Sequence, residues 1–554
     1  MTLPRVLVAA GVGLALADAS VVTLALPELI VELDTTVEGV AAVLGVYTLA
    51  LAAALIPAER LRRRAGTGRL GALGFAAFAA AGLGCGLVDA LAPLLVLRAV
   101  QALGGAAGLV CGFAFLTAGE RGRERLWTVA AVLGAAAGPA LGGLLTELFD
   151  WRAIFLFQAP MGVLAAVAVA RPSDAVEVLT EPIAGAAPRR RLELGPTIAL
   201  ALVSAALSAV LFLLVLLLVS GWSIAPLEAA LAVTILPAAA LVGMRFRGDA
   251  RLRAAAGCGL VGAGVLGLAF LGSASVAWTV LPQLLAGIGM GLALTSLIGP
   301  LLPEESPAQT AELLAIRHAG ITLALLILAP ITAAQVDDAV ADTRERGAAL
   351  VLDAELGPLD KIELANAVTA ELDPVDPRGT LRRSLDDAAP DAGDDPGAAA
   401  AYAELARRAD ETLIAGIDDA FGPAFVVAGA LALLGAAFVL PRREPSALRA
   451  SVAFVGLGLV LVATQAVAAT RAEPEPVAIA NPCEIRELPG TGGIGGVVQD
   501  VALAGLDRAA CDFGSSREEL AIALVDDEAG REYEAEHGVD PRSIGDLARG
   551  ALGF

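Results

Sequence analysis

Thirteen apolar stretches, each close to the length that spans a bilayer's hydrocarbon core, recur along this 554-residue chain. They lie near 4–29, 38–57, 69–88, 92–118, 125–147, 152–170, 195–219, 226–243, 254–273, 276–301, 311–335, 422–441 and 450–469. Backbone amides in lipid have to bond within their own segment, so each stretch is expected to be an α-helix. The fold class expected is an all-α polytopic membrane protein. Hydrophobic residues make up 57% of the chain, more than a soluble protein of this size can cover with polar surface. The 61 glycines suit close packing between membrane helices. "ALADAS" resembles a small-residue cleavage site, but the apolar run continues past it, so the first stretch reads as a retained span.

The net charge of −21 is unevenly spread. Residues 336–421 hold 21 acids and 8 bases, and residues 471–554 hold 17 acids and 7 bases, so the rest of the chain is nearly neutral. No basic stripe exists to hold phosphates, which excludes nucleic acid as a partner. No G-x-x-x-x-G-K-[ST] loop occurs, so ATP is not expected to be the energy source. No cofactor and no metal site are expected.

Arginines set the orientation. The loops "ERLRRRAGTGR", "GERGRER", "RPSD…PRRR", "RFRGDARLR" and "RREPSALR", with Arg5, carry 20 of them. The opposite short loops offer only Arg152. Positive residues stay inside, so the N-terminus is expected in the cytoplasm and both acidic segments outside a plasma membrane. Cys85, Cys111 and Cys258 lie within spans and read as small packing residues. Cys483 and Cys511 are alone in the C-terminal segment, where an oxidising exterior permits a disulfide between them.

Two charges inside spans demand explanation. Asp18 sits in the middle of span 1, and a charged acid there costs at least about 2.5 kcal/mol on insertion scales. Arg98 in span 4 cannot readily lose its proton and needs an acceptor. Counted along the two helices, their depths differ by roughly 8 Å at 1.5 Å per residue, which a long Arg side chain largely closes. Gln101 lies one turn along the same face as Arg98. Arg317 and His318, early in span 11, are candidates for a cavity wall, although Arg317 lies near enough to the inner surface to snorkel.

Five stretches line up with one family: "DASVVTLALPEL" at 18–29, "LRAVQALGGAAG" at 97–108, "LGAAAGPALGGLL" at 133–145 before "DWRAIF", "GWSIAPLEAALAVTILP" at 221–237, and "QLLAGIGMG" at 283–291. Gln283 in the last echoes Gln101 in the second. Over residues 4–441 the chain resembles the major facilitator superfamily, and within it the drug:proton antiporter branch. The resemblance implies two six-helix halves, 1–170 and 195–441, joined by a cytoplasmic linker at 171–194. Beyond them lie one extra span at 442–470 and a small helical domain at 471–554, where "SREEL" has capping-box spacing and "VDPRS" opens another helix. The loop at 336–421 reads as partly helical and partly disordered. "LPGTGG" at 488–493 reads as a turn.

The resemblance also implies roles. Asp18, Arg98 and Gln101 would couple proton to substrate, with Arg317, His318 and Gln283 near the cavity. Gly134, Gly138 and Gly142 recur every four residues on one helix face, with Pro139 and Gly143 beside them. By resemblance this antiporter motif lies where the two halves meet. One departure stands out: after span 2, Arg63 occupies the place of the family's Asp and Glu59 that of its Gly. The function implied is proton-driven export of small amphipathic or hydrophobic compounds. Alternatives are export of an endogenous lipid, peptide or secondary metabolite, or a non-transporting sensor or scaffold that displays the C-terminal domain to an extracytoplasmic partner.

Overall fold

A computed structural model describes residues 2–118, 124–171, 192–302, 306–357, 360–361, 364–365, 376–389, 396–440, 445–472, 476–484, 486, 488–489 and 493–543. Residues 172–191 of the expected linker, most of "GERGRER", part of "LPGTGG" and any helix continuing beyond "VDPRS" lie outside them. The described residues contain no strand, only one isolated bridge between Ile298 and Leu302.

The chain divides into two compact units. The first comprises residues 1–220, 224–334 and 421–471, and the second residues 221–223, 335–420 and 472–554. The first unit opens with α1 (Leu3–Thr23) and the short α2 (Leu26–Glu32), followed by α3 (Val37–Ala65), α4 (Thr67–Cys85), α5 (Leu91–Thr117), α6 (Glu124–Leu148) and α7 (Arg152–Ala170). It continues with α8 (Leu194–Leu216), α9 (Pro226–Val233), α10 (Ile235–Gly243), α11 (Ala250–Gly267) and α12 (Val276–Leu297). Two long helices, α13 (Pro307–Asp353) and α15 (Pro396–Val439), give their apolar ends to this unit, and α16 (Pro445–Ala472) completes it. Among the described residues, eleven helices are long and apolar enough to cross a membrane. The two other expected spans are also helical, as α6 and α11. The 18-residue α11 begins with Arg251 and Arg253, which shortens its apolar part.

The last helix of this unit, α16, belongs to the second half's side of the bundle. Val462 packs with Leu260, Ala263, Leu285 and Leu292 of α11 and α12. Gln465, buried in this apolar setting, points its amide nitrogen at three carbonyls: Gly267 at 3.1 Å, and Phe270 and Trp278 at 3.2 Å each. These carbonyls lie where α11 ends and α12 begins, and a terminal carbonyl in a dry setting needs such a donor.

The second unit joins segments that the sequence separates. Its core gathers Leu350, Val351, Leu364, Leu381, Leu405 and Leu413, from α13, α14 (Pro377–Asp387), α15 and the chain between. A smaller cluster of Ala510, Leu520 and Tyr533 belongs to α17 (Gly493–Phe513), α18 (Arg517–Val525) and α19 (Asp527–His537). The acidic loop and the C-terminal segment were expected to be a partly disordered loop and a separate domain; they form one body. Charge explains the union. Arg517 is fully buried, and its Nη2 lies 2.6 Å from Asp353 of the loop segment and 2.9 Å from the buried Glu518. Arg486 adds a second cation 2.9 Å from Glu518. A buried guanidinium needs such carboxylates; Glu518 comes from Arg517's own segment, Asp353 comes from the loop segment, and the Arg344–Asp526 ion pair at 3.1 Å crosses between the segments as well. A disulfide joins Cys483 to Cys511, with Cα atoms 5.0 Å apart. Ser516 caps α18 by accepting from the Glu519 amide at 2.9 Å, while Glu519 turns to His537 at 2.8 Å instead of closing the capping box. Glu519, Glu536 and His537 bring their ligand atoms within 4.8 Å of one another, and the His537–Glu519 hydrogen bond accounts for the grouping.

Two outcomes follow from these contacts. Replacing Gln465 with Leu takes this donor from the Phe270 and Trp278 carbonyls, while Gly267 still accepts from the Phe270 amide at 3.3 Å, and is expected to cost about 1–3 kcal/mol. It should lower the thermal unfolding midpoint of the purified protein; an unchanged midpoint contradicts the role given to Gln465. Lys361 is 6% exposed and donates to the Leu352 carbonyl at 2.6 Å. Burial pushes its ammonium down from 10.5 to about 8. Between those values the unfolded chain binds the proton and the folded unit does not, so stability rises with pH from about 8 to 10.5. Lys361→Met should flatten that rise in denaturant titrations across the window, and a rise of undiminished slope contradicts it.

Candidate functional site

The site begins with the geometry of α1. Leu16, Ala19, Ser20 and Thr23 share one helix face and line a cavity of about 90 Å3. At 100° per residue, Asp18 lies about 150° round the helix from that face. Its carboxylate is fully buried and points into the first half, away from the cavity.

There it meets Arg98 of α5, with Nη1 2.7 Å from Asp18 Oδ2 and both side chains fully buried. The guanidinium does more than face the acid. Its Nη1 donates to Gln101 Oε1 at 2.8 Å and its Nε to the Val43 carbonyl at 3.3 Å. It lies over the Tyr47 ring at 4.3 Å and the Phe155 ring at 5.5 Å. Gln101 in turn donates to Gln158 at 3.0 Å, and the Tyr47 hydroxyl donates to the Ala15 carbonyl at 3.0 Å. Arg98 and Gln158 both direct side-chain donors to the Asp18 carboxylate, while Arg98 Nη2 lacks a partner. Charge and these donors together hold the pair. Arg98 keeps Gln101 and the Val43 carbonyl as acceptors when Asp18 gains a proton.

The glycine stripe on α6 divides between two neighbours. A β-carbon at Gly134 would overlap the Gly13 carbonyl of α1, and one at Gly142 the Val21 carbonyl. Gly138 faces Ser20 of the same helix. These three bring α6 onto the backbone of α1 within the first half. Gly143 alone turns to the second half, where Ala230 and the Pro226 carbonyl of α9 leave no space for a side chain. The resemblance implied a motif between the halves; the geometry assigns that contact to one glycine and uses the others to seat α1. Pro139 lines the cavity.

Both ends of the first half carry charge networks. At the end of α3, Glu59 is nearly buried and lies 2.7 Å from Arg62 and 3.0 Å from Arg63. Arg62 also donates to Thr67 at 3.1 Å. Arg63 does stand where an acid was expected, but Glu59, one turn earlier, returns a carboxylate to the place. At the opposite end, Arg152 reaches Glu32 at 2.5 Å and Asp89 at 2.6 Å and stacks on Trp151. The Trp151 backbone amide donates to Glu28 and its indole to Glu32, at 3.0 and 2.8 Å. "DWRAIF" therefore ties α7 to α2.

The cavity wall crosses both halves. Arg317 and His318 of α13 line it, and Gln283 does not. Gln283 is fully buried and donates to Thr279 at 2.9 Å within its own helix. Thr48 of α3 and Thr322 of α13 hydrogen-bond at 2.9 Å beside the cavity, a polar link between the halves. Drug-sized ligands fill roughly 300–1,000 Å3, so these walls have to part before one enters.

A family model described as Major Facilitator Superfamily matches residues 8–334, more than half of the chain. The chain belongs to the major facilitator superfamily. It is a multi-pass membrane protein. Among curated superfamily relatives, it is 34% identical over 166 residues to "Multidrug resistance protein Stp" of Mycobacterium tuberculosis, covering 28% of this chain and 31% of that one. It is 32% identical over 166 residues to "Tetracenomycin C resistance and export protein" of Streptomyces glaucescens, covering 29% and 31%. To "Methylenomycin A resistance protein" of Streptomyces coelicolor it is 30% identical over 243 residues, covering 43% and 48%. The chain thus matches about a third to a half of the length of these relatives. A bacterial homolog of the human lysosomal transporter Spinster, solved in an inward-facing and unoccupied conformation, superposes with a TM-score of 0.51 at 17% identity. That alignment covers 79% of this chain and 97% of the other, and supports the fold.

Sequence reasoning in the superfamily frame missed Tyr47, Gln158, Thr48, Thr322 and Ser204. Each is a polar side chain inside an apolar stretch, a signal Gln158 carries plainly in "FQAPMG". The pairing predicts a specific stability pattern. Arg98→Met alone strands a buried carboxylate and should cost about 3–5 kcal/mol, while Arg98→Met with Asp18→Leu should recover most of the loss. Thermal unfolding of the three proteins checks it, and a double variant no better than the single one contradicts it.

Proposed function

We propose that this chain is a secondary active transporter of the plasma membrane. It exports small amphipathic or hydrophobic compounds by alternating access, driven by inward movement of protons. The observation that carries this reading is the fully buried Asp18–Arg98 pair on the back of the helix that lines the cavity. A proton on Asp18 cancels the charge that holds Arg98, and the guanidinium falls back on Gln101 and the Val43 carbonyl. α1 is then free to shift against α5. Because α6 lies against the α1 backbone at Gly134 and Gly142, the two helices move together, and Gly143 carries the movement to α9. Proton and substrate thus act on opposite faces of one helix, and the coupling is mechanical; they need not compete for one charge.

The drug-resistance and export names of the relatives support the cargo class. The arginine bias supports a cytoplasmic N-terminus and an extracytoplasmic second unit, and the Cys483–Cys511 disulfide suits an oxidising exterior. The buried Glu59 network weighs against a non-transporting scaffold, whose main support was the missing acid after span 2.

The test is substrate-driven proton flux in proteoliposomes, with ethidium and other resistance-type compounds as trial cargo. Asp18→Asn should abolish the coupled proton movement while the protein still folds, since the amide keeps the shape and removes the titration. Undiminished coupling in that variant overturns the proposal.

A further inference from the structure

We infer that the central cavity recognises a neutral hydrogen-bond donor, a hydroxyl or an amide N–H, carried on the apolar body of its cargo. The inference rests on the transport reading only in taking this cavity as the cargo site.

His318 supplies the main acceptor. It lies on the cavity wall, 5% exposed, and its Nδ1 is 2.7 Å from the Leu314 carbonyl one turn back. A carbonyl only accepts, so Nδ1 carries the hydrogen and Nε2 of the neutral ring keeps a lone pair. No donor among the described residues meets that lone pair. Ser20 and Thr23, on the facing α1, present the same polarity. Their hydroxyls donate to the Ala17 and Ala19 carbonyls of their own helix, at 2.8 and 2.7 Å, which leaves oxygen lone pairs on the wall. A wall of acceptors favours a cargo group that donates.

Ser204 of α8 adds a group that is still unmatched. It is 3% exposed on the same wall, and its hydroxyl has no partner. A serine in a helix can return its hydrogen to a carbonyl of the preceding turn, as Ser20 does, and one that stays unmet in a dry interior is costly. Packing brings Ser204 towards His318. A β-carbon at Gly320 would overlap the Ala201 carbonyl, so α13 lies on the backbone of α8 two residues from His318 and three from Ser204. A cargo hydroxyl entering as the walls part donates to Nε2 and accepts from Ser204. An ether in its place only accepts, and leaves Nε2 unmet. Arg317 is on the wall too, but it is not free and takes no part in this recognition.

Two neutral probes with one aromatic body test this: 2-naphthol, which donates, and 2-methoxynaphthalene, which cannot. Both are titrated calorimetrically into the purified full chain. The naphthol should bind at least about tenfold more tightly. His318→Phe, which keeps a ring and removes the acceptor, should bring the ratio near one, while His318→Gln, which restores an acceptor, should recover part of it. Ser204→Ala guards against misfolding of the His318 variants. It removes an unmet hydroxyl, so the thermal unfolding midpoint should hold or rise while naphthol binding weakens severalfold. A methyl ether bound as tightly as the naphthol, no binding of either, or a ratio that neither His318→Phe nor Ser204→Ala moves overturns the inference. Flux separates it from the transport reading. Donor preference in a protein that moves no protons overturns transport and upholds recognition; coupled flux without preference does the reverse.

Discussion

One buried ion pair sets the terms for the first half of the bundle. An arginine that cannot shed its proton and an aspartate in the same dry interior each need the other, and their 2.7 Å approach fixes α5 against α1. Tyr47, Phe155, Gln101 and Gln158 are arranged around that pair, supplying ring faces and acceptors to Arg98 where lipid would supply none. The charge of Arg98 holds the carboxylate, and charge is what a proton removes.

The helix that carries Asp18 is constrained on three sides. Its rear face holds the acid and its front face lines the cavity. A third surface lies so close to α6 that Gly134 and Gly142 have no room for a methyl group. A helix seated on bare backbone transmits a shift, because no side chain is there to absorb it. The Thr48–Thr322 hydrogen bond then marks where the halves touch beside the cavity, a small polar contact that breaks at little cost.

Much of this was legible in the sequence because membrane physics leaves few options. The helices were readable from length and apolarity, and Asp18 and Arg98 were conspicuous as charges in the wrong solvent. The direction in which Asp18 points was less visible. The residues of α1 that line the cavity, Leu16, Ala19, Ser20 and Thr23, do not differ in kind from those that do not. Only the packing of α5 behind α1 tells the faces apart. Glu59 was visible in the sequence as a replaced Gly, but its pairing was not: the sequence shows an acid missing at Arg63, while the fold shows Glu59, a helical turn away, pairing with Arg62 and Arg63. The union of the acidic loop with the C-terminal segment was hidden because it depends on Arg517 meeting Asp353, residues 164 positions apart.

Infrared difference spectroscopy reads the protonation of Asp18 most directly. As pH is lowered across the working range, a proton-gated pair gives a protonated-carboxyl absorption that is absent from Asp18→Asn and that substrate shifts in the wild-type protein. A band that survives in Asp18→Asn, or one indifferent to substrate, contradicts coupling through this pair.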